Sequence, residues 1–273
     1  MLALPQHYLP HTHAKENIMN NTIAAPGKAA RIARVLALSG LTLAIACGFA
    51  ELLAGLGYRW GWWHFRTGLQ VMRWAASTDL AAVALTLVAT GLAIKAGTRG
   101  TLVAAIHGLV LSVIVAGPPL YMYREANNLP RIHDISTDTQ NPPAFSAVMP
   151  MRKGAENSTT FTPENARLQQ QGYPDIAPVM LDAPPVLAFA RAERAARAMG
   201  WDIVAAAPAD LRIEATDTTL LFGFKDDIVI RVSANGTGSR IDMRSLSRAG
   251  RSDFGTNAKR IRLYVQQLAN TAG

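Results

Sequence analysis

At 273 residues with a single cysteine, the chain has room for one or two domains and no means of closing an intrachain disulfide. Its formal charge of +8 would suit a nucleic-acid binder if the basic residues clustered on a soluble domain. Instead the excess sits in the N-terminal tail and around apolar stretches, and from Arg124 onward acid and base nearly balance, which excludes a general nucleic-acid footprint.

The N-terminal tail, 1–34, opens with a segment holding His7, His11 and His13 that has neither helical nor strand periodicity. A His-x-His pair is a metal motif, but a disordered tail accounts for it more simply. Met19 is an alternative start, followed by the basic positions Lys28, Arg31 and Arg34.

Three apolar runs follow, Val35–Gly57, Trp74–Ile94 and Thr101–Met122, so a transmembrane region is expected over 35–122. Each is long enough to cross a bilayer, since about 20 helical residues at 1.5 Å rise match a hydrocarbon core of roughly 30 Å. Cys47 follows Leu43-Ala44-Ile45-Ala46, a loose likeness to a lipoprotein cleavage box. The apolar run continues to Leu56, as a spanning helix requires, and two more spans follow.

Basic residues in the short loops give the orientation. Lys28, Arg31, Arg34, Lys95 and Arg99 fall on one side; Arg59, Arg66, Arg73, Arg124 and Arg131 fall on the other. The expectation is a multi-pass protein of a bacterial inner membrane, N-terminus cytoplasmic and C-terminal domain periplasmic. Tyr58, Trp60, Trp62 and Trp63 in the first loop suit an interfacial aromatic belt. Gly40, Ala44 and Gly48 repeat at four-residue spacing, a small face that lets helices approach closely.

Glu51 and Asp79 are the ionisable residues of interest within the spans. Counted from the nearer span ends, both lie roughly 7–9 Å below one surface. They form a candidate proton- or cation-handling pair, with interfacial water or Arg59 and Arg73 as the simpler partners.

Residues 123–182 read as a Pro-rich linker and extended segment, with long regular elements not expected. His133, Asp134 and Asp138 form a motif there that could ligate a metal or fold a tight turn, and the turn is favoured. Over 183–273 the pattern is helix, antiparallel meander, helix. The first helix starts near Asp182, and the last runs from Thr256 with Ile261, Val265 and Leu268 as its stripe. Strands are expected at Trp201–Ala206, Leu211–Ala215, Leu220–Phe224, Ile228–Val232 and Arg240–Leu246, with Lys225-Asp226-Asp227 as a turn or bulge. The fold class is therefore a three-helix membrane region followed by an α+β soluble domain with an antiparallel sheet and two helices.

Several ordered motifs carry a resemblance. Pro130-Arg131-Ile132-His133-Asp134-Ile135-Ser136-Thr137-Asp138, Tyr173-Pro174-Asp175, Phe222-Gly223-Phe224-Lys225-Asp226-Asp227 and Arg244-Ser245-Leu246-Ser247-Arg248-Ala249-Gly250-Arg251-Ser252-Asp253 are similar to the domain-of-unknown-function 1499 family. The resemblance covers about 129–268 and implies an envelope-associated bacterial domain, sometimes carried behind membrane spans. It implies no activity, cofactor or catalytic residue.

Arg244, Ser245, Arg248 and Arg251, with Lys225, make a candidate anion site near the start of the last helix, where Gly250 and Gly255 free backbone N–H groups. The competing expectation is an internal ion-pair network with Asp226, Asp227, Asp242 and Asp253. No nucleophile elbow, phosphate loop or zinc helix is present, so catalysis is not favoured and no cofactor or metal is expected. The leading reading is a membrane-anchored binding or scaffold module, with the lipid bilayer as partner and an envelope protein or anionic lipid as further candidates. The alternative is an envelope hydrolase centred on His133 and Asp134. Oligomeric state is open.

Overall fold

The computed structural model describes residues 27–271. The expectations for His7, His11, His13 and Met19 lie outside the described residues. Three helices come first: α1 (Lys28–Arg59), α2 (Phe65–Lys95) and α3 (Arg99–Asn128). All three are long and apolar enough to cross a membrane. They outrun the apolar runs that announce them, and α2 gains most, beginning at Phe65 rather than Trp74. His64 accounts for that early start, because its ring Nδ1 accepts the Arg66 backbone N–H at 3.3 Å and caps the helix. At 1.5 Å per residue α2 is roughly 46 Å long, so its ends project beyond the hydrocarbon.

Small residues set the bundle packing. A Cβ on Gly40 would lie 2.6 Å from Thr86 Cγ2, and one on Gly108 would lie 2.7 Å from that same methyl. Thr86 of α2 thus fills the space that glycines in α1 and α3 leave open, the close approach expected of such faces in lipid. Ala37, Ala44, Ala82, Ala89 and Ala105 are fully buried around it.

Beyond the bundle lie β1 (Asp134–Ser136), α4 (Pro163–Gly172), β2 (Val179–Leu181), α5 (Pro185–Ala198), β3 (Asp202–Ala207), β4 (Arg212–Thr218), β5 (Lys225–Asn235), β6 (Gly238–Ser247) and α6 (Thr256–Asn270). The sheet is antiparallel, in the order β1-β6-β5-β4-β3, with β2 pairing the other end of β6. The 123–182 segment therefore supplies two strands and a helix, and the soluble part has three α-helices rather than two. Thr162 and Pro163 explain α4: the Thr162 hydroxyl accepts the Asn165 N–H at 3.1 Å, and Pro is tolerated in a first turn. Gln169 then exchanges two hydrogen bonds with the Ser136 backbone, tying α4 to β1.

Period-two alternation divides the sheet into two chemically different faces. Ile213, Ala215, Ile228, Ile230, Val232, Ile241 and Met243 point to one side, where α5 and α6 cover them with Phe189, Ala192, Ile261, Tyr264 and Leu268. The other side carries Glu214, Thr216, Asp227, Arg231, Asp242 and Arg244. The segment between β1 and α4 lies over it, meeting these residues through Phe145, Val148 and Arg152. Leu220–Phe224 is a loop, not a strand. Thr219 closes its neck by bonding Phe224 through both backbone and hydroxyl, and Gly223 takes φ +68°. Lys225-Asp226-Asp227, expected as a turn, instead opens β5 in regular register with β4 and β6.

Candidate functional site

The basic run in β6 is consumed internally. Arg244 is buried and forks its Nε and Nη2 onto the Asp134 carboxylate at 2.9 and 2.7 Å. Its remaining donors reach the carbonyls of Pro143 and Thr159, and its guanidinium lies 5.0 and 5.4 Å from the ring centroids of Phe145 and Phe161. Arg248 forks onto Asp227 at 2.9 and 2.7 Å, and Arg152 donates to that same carboxylate. Arg231 and Arg240 share Asp242 and Asp138. Arg244 and Arg248 meet their planar carboxylates in the bidentate geometry that suits a guanidinium best.

Alternation also separates residues that are neighbours in sequence. Arg244 and Arg248 face the covered polar side, while Ser245 points to α6, donating to Asn257 Oδ1 at 2.7 Å and accepting from Arg260 at 3.0 Å. Arg260 goes on to Asp226 at 2.6 Å and Asp217 at 2.8 Å. The helix N-terminus proposed for an anion holds the chain's own carboxylate: Asp253 accepts the Gly255 and Asn257 N–H groups at 2.9 and 2.8 Å. Burial, opposed by those two donors and reinforced by nearby Asp226, pushes the Asp253 carboxyl up to about 6.

His133 and Asp134 are not assembled as a pair. Adjacent side chains on extended backbone diverge: Asp134 goes to Arg244, and the His133 ring Nδ1 lies 3.4 Å from the Arg251 carbonyl. Asp138 makes the expected turn, accepting the Gln140 and Asn141 N–H groups at 3.1 and 2.9 Å. Among the described residues no group of three or more His, Cys, Asp or Glu side chains comes together as a metal site.

Lys225 has a different setting. It lines an open groove of about 870 Å³ between the module and the end of the bundle where α1 meets α2. The β4–β5 loop builds this seam by docking on α1 and α2. Leu221 packs on Gly55, and Phe222 on Gly68. Tyr58, Phe65, Phe222 and Phe224 form an aromatic wall, with Phe222 and Phe224 stacked at 5.1 Å. Arg59, Lys153 and Lys225 border it, all exposed, and neither lysine has a carboxylate partner among the described residues. Arg248 reaches the same groove while paired with Asp227, and Arg251 lines a smaller adjoining hollow with Phe65 and Arg66. Glu156, also in the groove, is held by His64 and Arg66 at 3.2 and 3.4 Å. Of the aromatic loop, Trp60 and Trp62 are exposed as a belt requires, whereas Trp63 turns in and donates to the Ala54 carbonyl at 3.1 Å.

The sequence pattern missed Arg59, Lys153, Phe222 and Phe224 as a group, because they come from three distant segments. Glu214 left a detectable sign: an acid at a buried strand position, accepting the Ser146 and Val148 N–H groups.

Comparison with known proteins agrees with the motif resemblance. Residues 134–268 match the family model described as "Protein of unknown function (DUF1499)". Neither the curated proteins nor the solved structures contain a match to the chain.

Proposed function

Because the module at residues 134–268 belongs to the DUF1499 family, whose function is unknown, we propose a role from its geometry: it binds an anionic phospholipid headgroup at the membrane seam. The observation that carries this reading is the groove itself, where exposed Lys153 and Lys225 stand beside an aromatic wall at the outer end of apolar helices. Arg152, Arg231, Arg240, Arg244, Arg248 and Arg260 are satisfied by internal carboxylates, whereas Lys153 and Lys225 border the groove without one among the described residues, free to meet a phosphate. An apolar wall at headgroup depth suits the glycerol and upper acyl region, while the lysines suit the charge. The bilayer supplies such a ligand by lateral diffusion. In this reading the protein is a multi-pass protein of a bacterial inner membrane, with the module on the periplasmic side, acting as a binding or scaffold unit with no reaction of its own.

Full-length protein in detergent, given phosphatidylglycerol or phosphatidylcholine, tests the proposal by thermal unfolding and native mass spectrometry. Retention and stabilisation by phosphatidylglycerol, lost in a Lys153→Glu, Lys225→Glu double variant, is the expected result. Equal stabilisation by both lipids, or an unchanged preference in the double variant, would overturn it. A C-terminal alkaline phosphatase fusion reads the orientation: activity supports the periplasmic placement, and inactivity of a stable fusion refutes it.

A further inference from the structure

The bundle interior holds a second polar constellation, remote from the seam lysines. Glu51 of α1, Asp79 of α2 and Ser112 of α3 are 7, 0 and 0 % exposed. Glu51 Oε1, both Asp79 carboxylate oxygens and Ser112 Oγ have no hydrogen-bond partner. Asp79 is fourteen residues beyond the start of α2 at Phe65, and neither Arg59 nor Arg73 pairs with it or with Glu51. Ser112 Oγ faces Asp79 without reaching hydrogen-bond geometry, and Glu51 lies within electrostatic range of Asp79.

The backbone adds one more acceptor. Pro118 and Pro119 lie inside α3 and have no N–H, so the carbonyls four residues earlier, at Ile114 and Val115, lose their helical donors. Val115 is buried against Cys47 and Ala75, one helical turn along α1 from Glu51. The site is therefore rich in oxygen acceptors and poor in donors, with the Ser112 hydroxyl and the weakly donating thiol of nearby Cys47 beside the carboxyl groups. Two ionised carboxylates in such a place are costly without a compensating charge.

We propose that Glu51, Asp79, Ser112 and the Val115 carbonyl bind a small hard monovalent cation of sodium size within the three-helix bundle. Oxygen donors select hard cations, and the five oxygens here fall short of the six to eight that calcium takes. One carboxyl keeps a proton and the other is ionised, so the occupied site is neutral. Three helices each contribute a ligand, so occupancy stabilises the bundle as a unit.

Full-length protein in detergent is unfolded thermally in sodium, potassium or choline chloride at equal ionic strength, with calcium chloride as a further arm. The expected outcome is a midpoint several degrees higher in sodium than in choline. Asp79→Asn abolishes that difference while still unfolding cooperatively. Ser112→Ala, a milder change that keeps the fold readable should Asp79→Asn fail, shifts the half-saturating sodium concentration upward by about tenfold, the loss of one ligand bond at 1.4 kcal/mol. Identical midpoints in sodium and choline, a sodium effect retained in Asp79→Asn or at unchanged half-saturation in Ser112→Ala, or a calcium effect exceeding that of sodium would each overturn the proposal.

Discussion

Arg59, the last residue of α1, donates its Nη1 to the carbonyl of Leu220 at 2.8 Å, and that bond hooks the β4–β5 loop over the end of the bundle. The contact explains why the module is docked rather than tethered. Leu221 and Phe222 fill the notches left by Gly55 and Gly68, and Leu220 itself is 90 % exposed beside the end of α1. A loop with so apolar a tip is suited to headgroup depth, beside the groove it helps to form.

Substitution at the notches tests the docking. Gly55→Val or Gly68→Ala places methyl groups against Leu221 or against the Ala54 carbonyl, neither of which has room. Overpacking of this kind costs about 1–3 kcal/mol. Faster protease cleavage within 219–224 is expected, with the core of the module still protected. Unchanged cleavage would mean that the seam is not held by these contacts.

Arg244 and Asp134 give the second prediction. The pair is buried, bidentate and sandwiched between Phe145 and Phe161. Arg244→Ala leaves Asp134 charged and unpaired, a loss of about 3–5 kcal/mol in denaturant unfolding. Arg244→Lys recovers part of this, since an ammonium cannot reproduce the fork. If Arg244→Ala unfolded normally and lost only anion binding, Arg244 would be a ligand residue.

Asp227 supports two cations at once, Arg152 and Arg248, with Thr216 donating to its second oxygen at 2.8 Å. Asp227→Ala is therefore expected to destabilise more than either Arg152→Ala or Arg248→Ala. A double-mutant cycle over the two arginines should show coupling of about 0.5–3 kcal/mol, because each compensates a share of one charge. Strict additivity would show that the two pairs act independently.

These pairings bear on what could be read from the chain alone. The spans, the meander and the helix stripes were legible because each depends on local periodicity, which a linear pattern preserves. The charge layer was legible only as two alternatives. Arg244, Ser245 and Arg248 look like one patch along the chain, yet alternation sends Ser245 to the Arg260 cluster and the two arginines to the opposite face. Burial of a strand under the 137–161 segment has no local signature. Nor does a groove assembled from positions 58, 153 and 225, or a loop read as a strand because its apolar residues face a membrane bundle rather than a sheet partner.

Asp253 sets a pH dependence of the module. Its carboxyl is pushed up to about 6 in the fold because burial outweighs the two N–H donors, Gly255 just before α6 and Asn257 within it, whereas an unfolded aspartate titrates at about 3.9. The folded state thus binds this proton more tightly than the unfolded state does. Its contribution to stability is full below about pH 4, is lost as pH rises through about 6, and is flat above that. Asp253→Asn retains one oxygen acceptor for the helix end but cannot ionise. Subtracting its thermal unfolding midpoints from those of the parent chain, between pH 4 and 7, isolates the group from other carboxylates. The parent should lose stability relative to the variant across that window. A difference that stays constant, or that grows in the parent's favour as pH rises, would show that the N–H donors dominate and that Asp253 serves as an ordinary charged cap.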